Sequence, residues 1–284
     1  MIKNIYIIGV GLIGGSLAKD IKKLHPEVKI HGISRKESTL DKALSLNLID
    51  KKATLDDIVH ADLVIVAIPV DDTVKILPSL LDKISDTGLV VDAGSTKEAI
   101  CKVVENHPKR RNFLASHPIA GTEYSGPEAA ISGLFEGKTN IICEVEKTAF
   151  KLQEKALKLF VSLGMRIRYM NPEAHDKHIA YVSHLSHISS FMLGKTVIEK
   201  EKNERDIFDM AGSGFASTVR LAKSSPEMWA PIFKQNKENV IETLEEYINN
   251  LKQFKELMEK DDFDAIYNEM KDTNYIKQIL NGIA

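Results

Sequence analysis

The sequence predicts an α/β N-terminal part over residues 1–170, built on a parallel sheet covered on both faces, and an all-α part over 171–284. Three observations predict this. Short β-rich runs alternate with helical patterns as far as about Met170. At Asn171-Pro172 the texture changes, and beyond it Leu, Ile, Met and Phe recur at three- and four-residue spacing with no strand pattern. A chain of 284 residues is also long enough to bury two cores.

The expected strands lie at 4–8, 29–33, 63–68, 88–92, 112–116, 140–144 and 166–170, each a short apolar or β-branched run. Between them, helical spacing of apolar residues places helices at 14–24, 39–46, 73–81, 97–106 and 148–163. In the second part Pro172 suits a first helical turn, and helices are expected at 172–200, 204–222, 226–259 and 262–271. The apolar content of these helices exceeds what about 110 residues need for their own core, which predicts a homodimer through the helical part.

Composition narrows the function. Hydrophobic residues make up 43% and charged residues 27%, as in ordinary globular proteins, and a net charge of −2 argues against a nucleic-acid partner. No apolar run is long enough to span a bilayer, and the first residues read as a strand, not a signal peptide. Two cysteines, Cys101 and Cys143, with no CxxC, suit a reducing cytoplasm.

The first strand runs straight into GVGLIGGS at 9–16, after which a helix starts. Glycines at this spacing between a strand and a helix cradle a dinucleotide pyrophosphate, with the anion at the positive end of the helix. Gly9 permits the turn, Gly11 lets the backbone approach the phosphates, and Gly14 lets helix and strand pack. Leu12 and Ile13 lie between them. This is a Rossmann-type nucleotide unit. An acidic residue at the end of the second strand would select NAD, but Ser34 stands there, followed by Arg35 and Lys36. The missing carboxylate and two cations point to NADP, with NAD possible. Ile68 and Pro69, after the third strand, face the same crevice.

The loop SHPIAGTEYSG at 116–126 sets a His, a Thr and a Glu beyond a strand on the ligand side of the sheet. Together with GVGLIGGS, DAGSTK at 92–97, HDKHIAYVSHLSH at 175–187 and GFASTVRLAKSSPEMW at 214–229, it resembles the TyrA prephenate/arogenate dehydrogenases of tyrosine biosynthesis. The stretches come in the family's order and span nearly the whole chain. The resemblance implies oxidative decarboxylation of a cyclohexadienol to an aromatic product, with hydride passing to NAD(P). It makes His117 the catalytic histidine that takes the 4-hydroxyl proton, and Ser95 the serine that orients it. It places Thr122, Glu123, His187 and Trp229 around the substrate and gives Arg220 a substrate carboxylate. Activity would then rise with pH through a histidine titration near about 6.5. In one place the chain departs from the family: Ala216-Ser217 stand where a basic residue and an Asp are common, which removes any ion pair made by that Asp.

Other readings carry less. His175 and His178 lie on a different side of a regular helix from His184 and His187, so the four histidines are not expected to bind a metal, and the first pair reads as surface or helix-start residues. A 3-hydroxyacid dehydrogenase or an imine reductase would share the cofactor half without needing HPIAGTE. A non-catalytic NADP-sensing protein would have no need of His117, Ser95 and Arg220 together.

Overall fold

A computed structural model describes residues 2–202, 204 and 206–282 of the chain. β1 (Asn4–Ile8) leads into α1 (Leu12–Leu24), β2 (Lys29–Ile33), α2 (Glu37–Ser45) and the short β3 (Lys51–Lys52). Then come β4 (Leu63–Val66), α3 (Val70–Lys83), β5 (Leu89–Asp92), α4 (Glu98–Val103), β6 (Phe113–Pro118), β7 (Thr139–Cys143), α5 (Phe150–Ser162) and β8 (Arg166–Met170). The strands form one sheet in the order β3-β2-β1-β4-β5-β6-β7-β8. The crossover from β3 to β4 at the far side of β1 opens a crevice beyond the strand ends, where such sheets bind ligands.

Each central strand is buried on both faces, which explains its unbroken run of apolar residues. Ile5 and Ile7 of β1 pack with Leu17, Ala18 and Ile21 of α1 and with Leu159 and Phe160 of α5. Tyr6 and Ile8 face the other way, towards Leu77, Leu80 and Leu81 of α3, Ile100 of α4, and Trp229 and Ile232.

The sheet is not wholly parallel, as the alternating pattern had implied. β6 and β7 pair antiparallel, His117 opposite Ile141, because no helix crosses back over the sheet between them; only a loop and the short turn Pro127–Ala129 intervene. β7 and β8 pair parallel across α5.

Among the described residues no strand follows Met170. α6 (Pro172–Ile179) starts with Pro172 in the first turn and Asn171 Oδ1 accepting the Ala174 N–H at 2.7 Å. It continues through a π turn (Ala180–His184) into α7 (Leu185–Glu201). The helix expected at 204–222 is broken. Only α8 (Ser213–Thr218) and a 3-10 turn (Arg220–Lys223) form there, and Gly212 and Gly214 weaken the intervening helix; residues 203 and 205 lie outside the described set. The helix expected at 226–259 stops at Asn236, giving α9 (Pro226–Gln235) and α10 (Lys237–Glu259). The Asn236 side chain donates to the Asp176 carbonyl at 2.7 Å, which ties that corner to α6. α11 (Phe263–Thr273) and α12 (Ile276–Asn281) complete the chain. Residues 1–237 form one compact unit and residues 238–284 a second. No helix is long and apolar enough to cross a membrane among the described residues.

Candidate functional site

The carboxyl ends of β1, β4 and β5 lie on one edge of the sheet. Gly9 has φ +93°, and a Cβ there would sit 2.4 Å from the Ala67 carbonyl oxygen and 2.6 Å from Ile68 Cγ2. The turn is thus pressed against the β4 loop that carries Ile68 and Pro69. A Cβ on Gly14 would lie 2.2 Å from the Gly9 carbonyl oxygen. Gly11 differs: nothing comes nearer to its Cβ position than the Gly126 nitrogen at 4.0 Å. α1 has no side-chain cap and no acidic residue in its first turn. Its first N–H groups, beside Leu12 and Ile13, are left for an anion, so the residues present fit a dinucleotide pyrophosphate.

Gly9 N–H donates to the Ile33 carbonyl at 2.9 Å, which brings the end of β2 to this turn. Ser34 Oγ accepts the Lys36 N–H at 3.2 Å. Arg35 is exposed and sits 3.1 Å from the Asp72 carboxylate, while Lys36 is exposed at the start of α2.

The β5–α4 loop is fixed by buried charge. Lys97 and Asp92 are fully buried and paired. Lys97 Nζ also donates to the Ser116 carbonyl at 2.7 Å, and Asp92 accepts the N–H groups of Gly94 and Ser116 at 2.8 and 3.1 Å. These bonds hold half-buried Ser95 and the end of β6 in register with each other. His117, on that strand end, is buried, and its Nδ1 lies 2.8 Å from His175 Nε2. His175 Nδ1 lies 2.7 Å from Asp176 Oδ1. Asp176 in turn accepts the N–H groups of Lys97 and Glu98 at 2.7 and 3.0 Å, capping α4 from α6.

Burial pushes the His117 imidazole well below its ordinary range, reinforced by His175, Lys97 and His184. A titration at the unperturbed histidine value is therefore not what this site holds. His175, expected as a surface or helix-start residue, lies in the first turn of α6 but is buried, whereas His178 is exposed. The π turn explains His184 as well. The turn unwinds the helix by roughly a quarter turn and brings His184 inside, with Nδ1 3.1 Å from Asn236 Nδ2. Burial pushes His184 down to about 4.

Arg220 Nη1 lies 2.9 Å from Glu123 Oε2, linking the 3-10 turn after α8 to the loop after β6. Thr122 Oγ1 accepts the Tyr124 N–H in the same loop. The Arg220 turn is clamped on α7 by buried Ser190, whose hydroxyl donates to the Thr218 carbonyl at 3.0 Å and accepts the Ala222 N–H at 3.1 Å. His187 stacks on Trp229 with ring centroids 3.5 Å apart, and its Nδ1 donates to the Ser183 carbonyl at 2.9 Å. Trp229 is buried, and its indole N–H has no partner among the described residues. Among the described residues no group of three or more His, Cys, Asp or Glu is placed to hold a metal ion.

Residues 17–169 match the nucleotide-binding domain of prephenate dehydrogenases, and residues 171–272 match their dimerization domain. A Bacillus subtilis prephenate dehydrogenase is 32% identical over 272 residues, 94% of this chain and 73% of the relative. This chain belongs to the prephenate dehydrogenase family. A crystal structure of prephenate dehydrogenase from Aquifex aeolicus, in complex with hydroxyphenyl propionate and NAD+, superposes with a TM-score of 0.90 at 33% identity and covers 99% of both chains. A Synechocystis arogenate dehydrogenase structure gives 0.76 at 26% identity, covering 97% of this chain and 99% of that one.

In this prephenate dehydrogenase fold, sequence reasoning missed Asp92, Lys97, His175, Asp176, Ser190 and Asn236. Asp92 and Lys97 had a signal: a carboxylate and an amine five residues apart across a strand end. His175 and Asp176 had none, because their burial depends on where α6 docks.

Proposed function

We propose that this protein catalyses the oxidative decarboxylation of prephenate in tyrosine biosynthesis, with hydride passing to a nicotinamide dinucleotide. The observation that carries the chemistry is His117, buried, held neutral and placed at a strand end beside the cofactor loops. A nicotinamide held by the glycine turn and the β4 loop would supply the hydride acceptor for ring C4. His117 Nε2 takes the proton of the 4-hydroxyl as the C4 carbonyl develops. Loss of the ring carboxylate as carbon dioxide then returns its bonding electrons to the ring, and the proton goes back to the phenolic oxygen. Ser95, in the loop fixed by Lys97 and Asp92, would orient the base and line the nicotinamide site. Arg220, released from Glu123, binds a substrate carboxylate; Thr122, His187 and Trp229 form the surrounding wall. Gly9, Gly11, Leu12, Ile13, Gly14, Ile68 and Pro69 hold the dinucleotide.

NADP is our preferred cofactor. The end of β2 carries no carboxylate on its own loop, and Arg35 and Lys36 stand beside Ser34, although Asp72 competes for Arg35. The same scaffold admits arogenate, which differs from prephenate only in the side chain. The protein acts as a homodimer: it carries the family's dimerization domain, and the unit of residues 238–284 leaves Leu251, Met258, Phe263, Tyr267, Ile276 and Leu280 exposed. Both cysteines are free and buried, which fits a reducing cytoplasm.

Assays of prephenate and arogenate with NAD and NADP test the reading. Prephenate turnover is expected, with His117→Asn reducing it at least ~10²-fold at unchanged cofactor affinity. Near-normal turnover in that variant removes His117 from the mechanism. Equal or better efficiency with NAD would make Arg35 and Lys36 solvated loop charges only.

A further inference from the structure

The buried network fixes where the protons on His117 and His175 sit. Both oxygens of Asp176 accept N–H groups at the start of α4, so Asp176 is an acceptor towards its neighbours. His175 Nδ1, 2.7 Å from Oδ1, must carry a hydrogen. A neutral imidazole protonated at Nδ1 offers only a lone pair at Nε2. His117 Nδ1 lies 2.8 Å from that lone pair and is therefore the donor.

We propose that His175 and Asp176 are positioning residues: through this chain of hydrogen bonds they hold His117 in its Nδ1–H tautomer and aim the Nε2 lone pair at the substrate hydroxyl. The inference rests on the reading of His117 as the proton acceptor. His117 Nε2 has no partner among the described residues, which leaves it open to a substrate. Burial lowers the titration of both histidines, so the neutral forms that the chain requires are those present near pH 7. His175 from α6, Lys97 from the loop after β5 and His184 from the π turn act directly on His117, while Asp176, Lys97 and Asp92 act on His175. Lys97 and Asp92 offset each other as a pair. Asp176 is then the negative charge that opposes the imidazolium formed when the hydroxyl proton arrives. The same carboxylate anchors the amides after Ser95, so the base and the cofactor loop are set by one group.

The test joins spectroscopy to kinetics. Nitrogen-15 NMR of the unliganded protein should show His117 protonated at Nδ1 and bare at Nε2. His175→Leu should lose that single tautomer and lower kcat at least ~10-fold, with the Michaelis constants for prephenate and dinucleotide within twofold. His175→Gln, whose carbonyl can accept from His117 and whose amide can donate to Asp176, should restore most of kcat and the tautomer. Protonation of His117 at Nε2 in the wild type overturns the proposal, even if His175→Leu fails to fold. So does a His175→Leu protein with kcat within twofold of the wild type. If instead His117→Asn turns over normally while the Nδ1–H tautomer is observed, the hydrogen-bond chain stands and the catalytic reading of His117 falls.

Discussion

At the scale of single residues, His117 sits buried at the end of β6, its Nδ1 against His175. Its place at a strand end was legible in the sequence. Its low titration was not, because that comes first from burial, which only the folded packing sets, and then from His175, Lys97 and His184, about 20 to about 70 residues distant in sequence. Arg220 was singled out by its motif, and its partner Glu123 and the clamp Ser190 come from separate segments. The ion pair with Glu123 is half-exposed on the arginine side and therefore weak, so a dianionic substrate can displace it. Arg220→Ala is expected to raise the Michaelis constant for prephenate at least tenfold, from loss of a charge-assisted contact worth about 2–3 kcal/mol, with a smaller change in kcat. Steady-state kinetics check this, and an unchanged Michaelis constant would pass the role to Lys223.

At the scale of elements, periodicity found all seven of the longer strands and most helices. It failed where a tertiary bond or an irregular turn decides the outcome. The π turn at Ala180–His184 is one such place, since regular 3.6-residue spacing puts His184 on the wrong side. Asn236 is another, its side chain drawn to the Asp176 carbonyl. The glycines of α1 give a sharper test of how an element serves function. Helix propensity alone favours Gly14→Ala by about 1 kcal/mol. Its Cβ, however, would lie 2.2 Å from a backbone oxygen and 2.8 Å from Ile7 Cγ2, so the clash wins. A net loss of about 2 kcal/mol or more is expected, read as a lower denaturation midpoint. Gly11→Ala has no such clash. It should keep its midpoint and lose cofactor affinity, measured by fluorescence titration. Equal stability in the two variants would show that Gly14 is not a packing glycine.

At the scale of the whole molecule, three buried histidines make stability depend on pH. His117, His175 and His184 are all lowered by burial, so the unfolded chain binds protons near pH 6.5 that the folded chain refuses. Stability therefore falls as pH drops below about 6.5. The share from His184, held at about 4, is complete near pH 4 and amounts to roughly 3 kcal/mol. Urea midpoints should drop steadily between pH 7 and 5, and His184→Asn should flatten that slope; a midpoint constant over this range would contradict the assignment. The change of texture at Asn171 marks where strands give way to helices, yet that seam is knit by side chains that no pattern announces. Asp176 of α6 caps α4, and Gln235 of α9 joins Thr96 Oγ1 at 2.7 Å to Asp71 at 2.8 Å. For chimera building this has a cost. A nucleotide half grafted at residue 170 onto a foreign helical half would carry α4 without its cap and Lys97 and Asp92 beside an open seam. What looks in sequence like a point of easy recombination is a mortised joint, and only pairs of halves that have varied together can be exchanged across it.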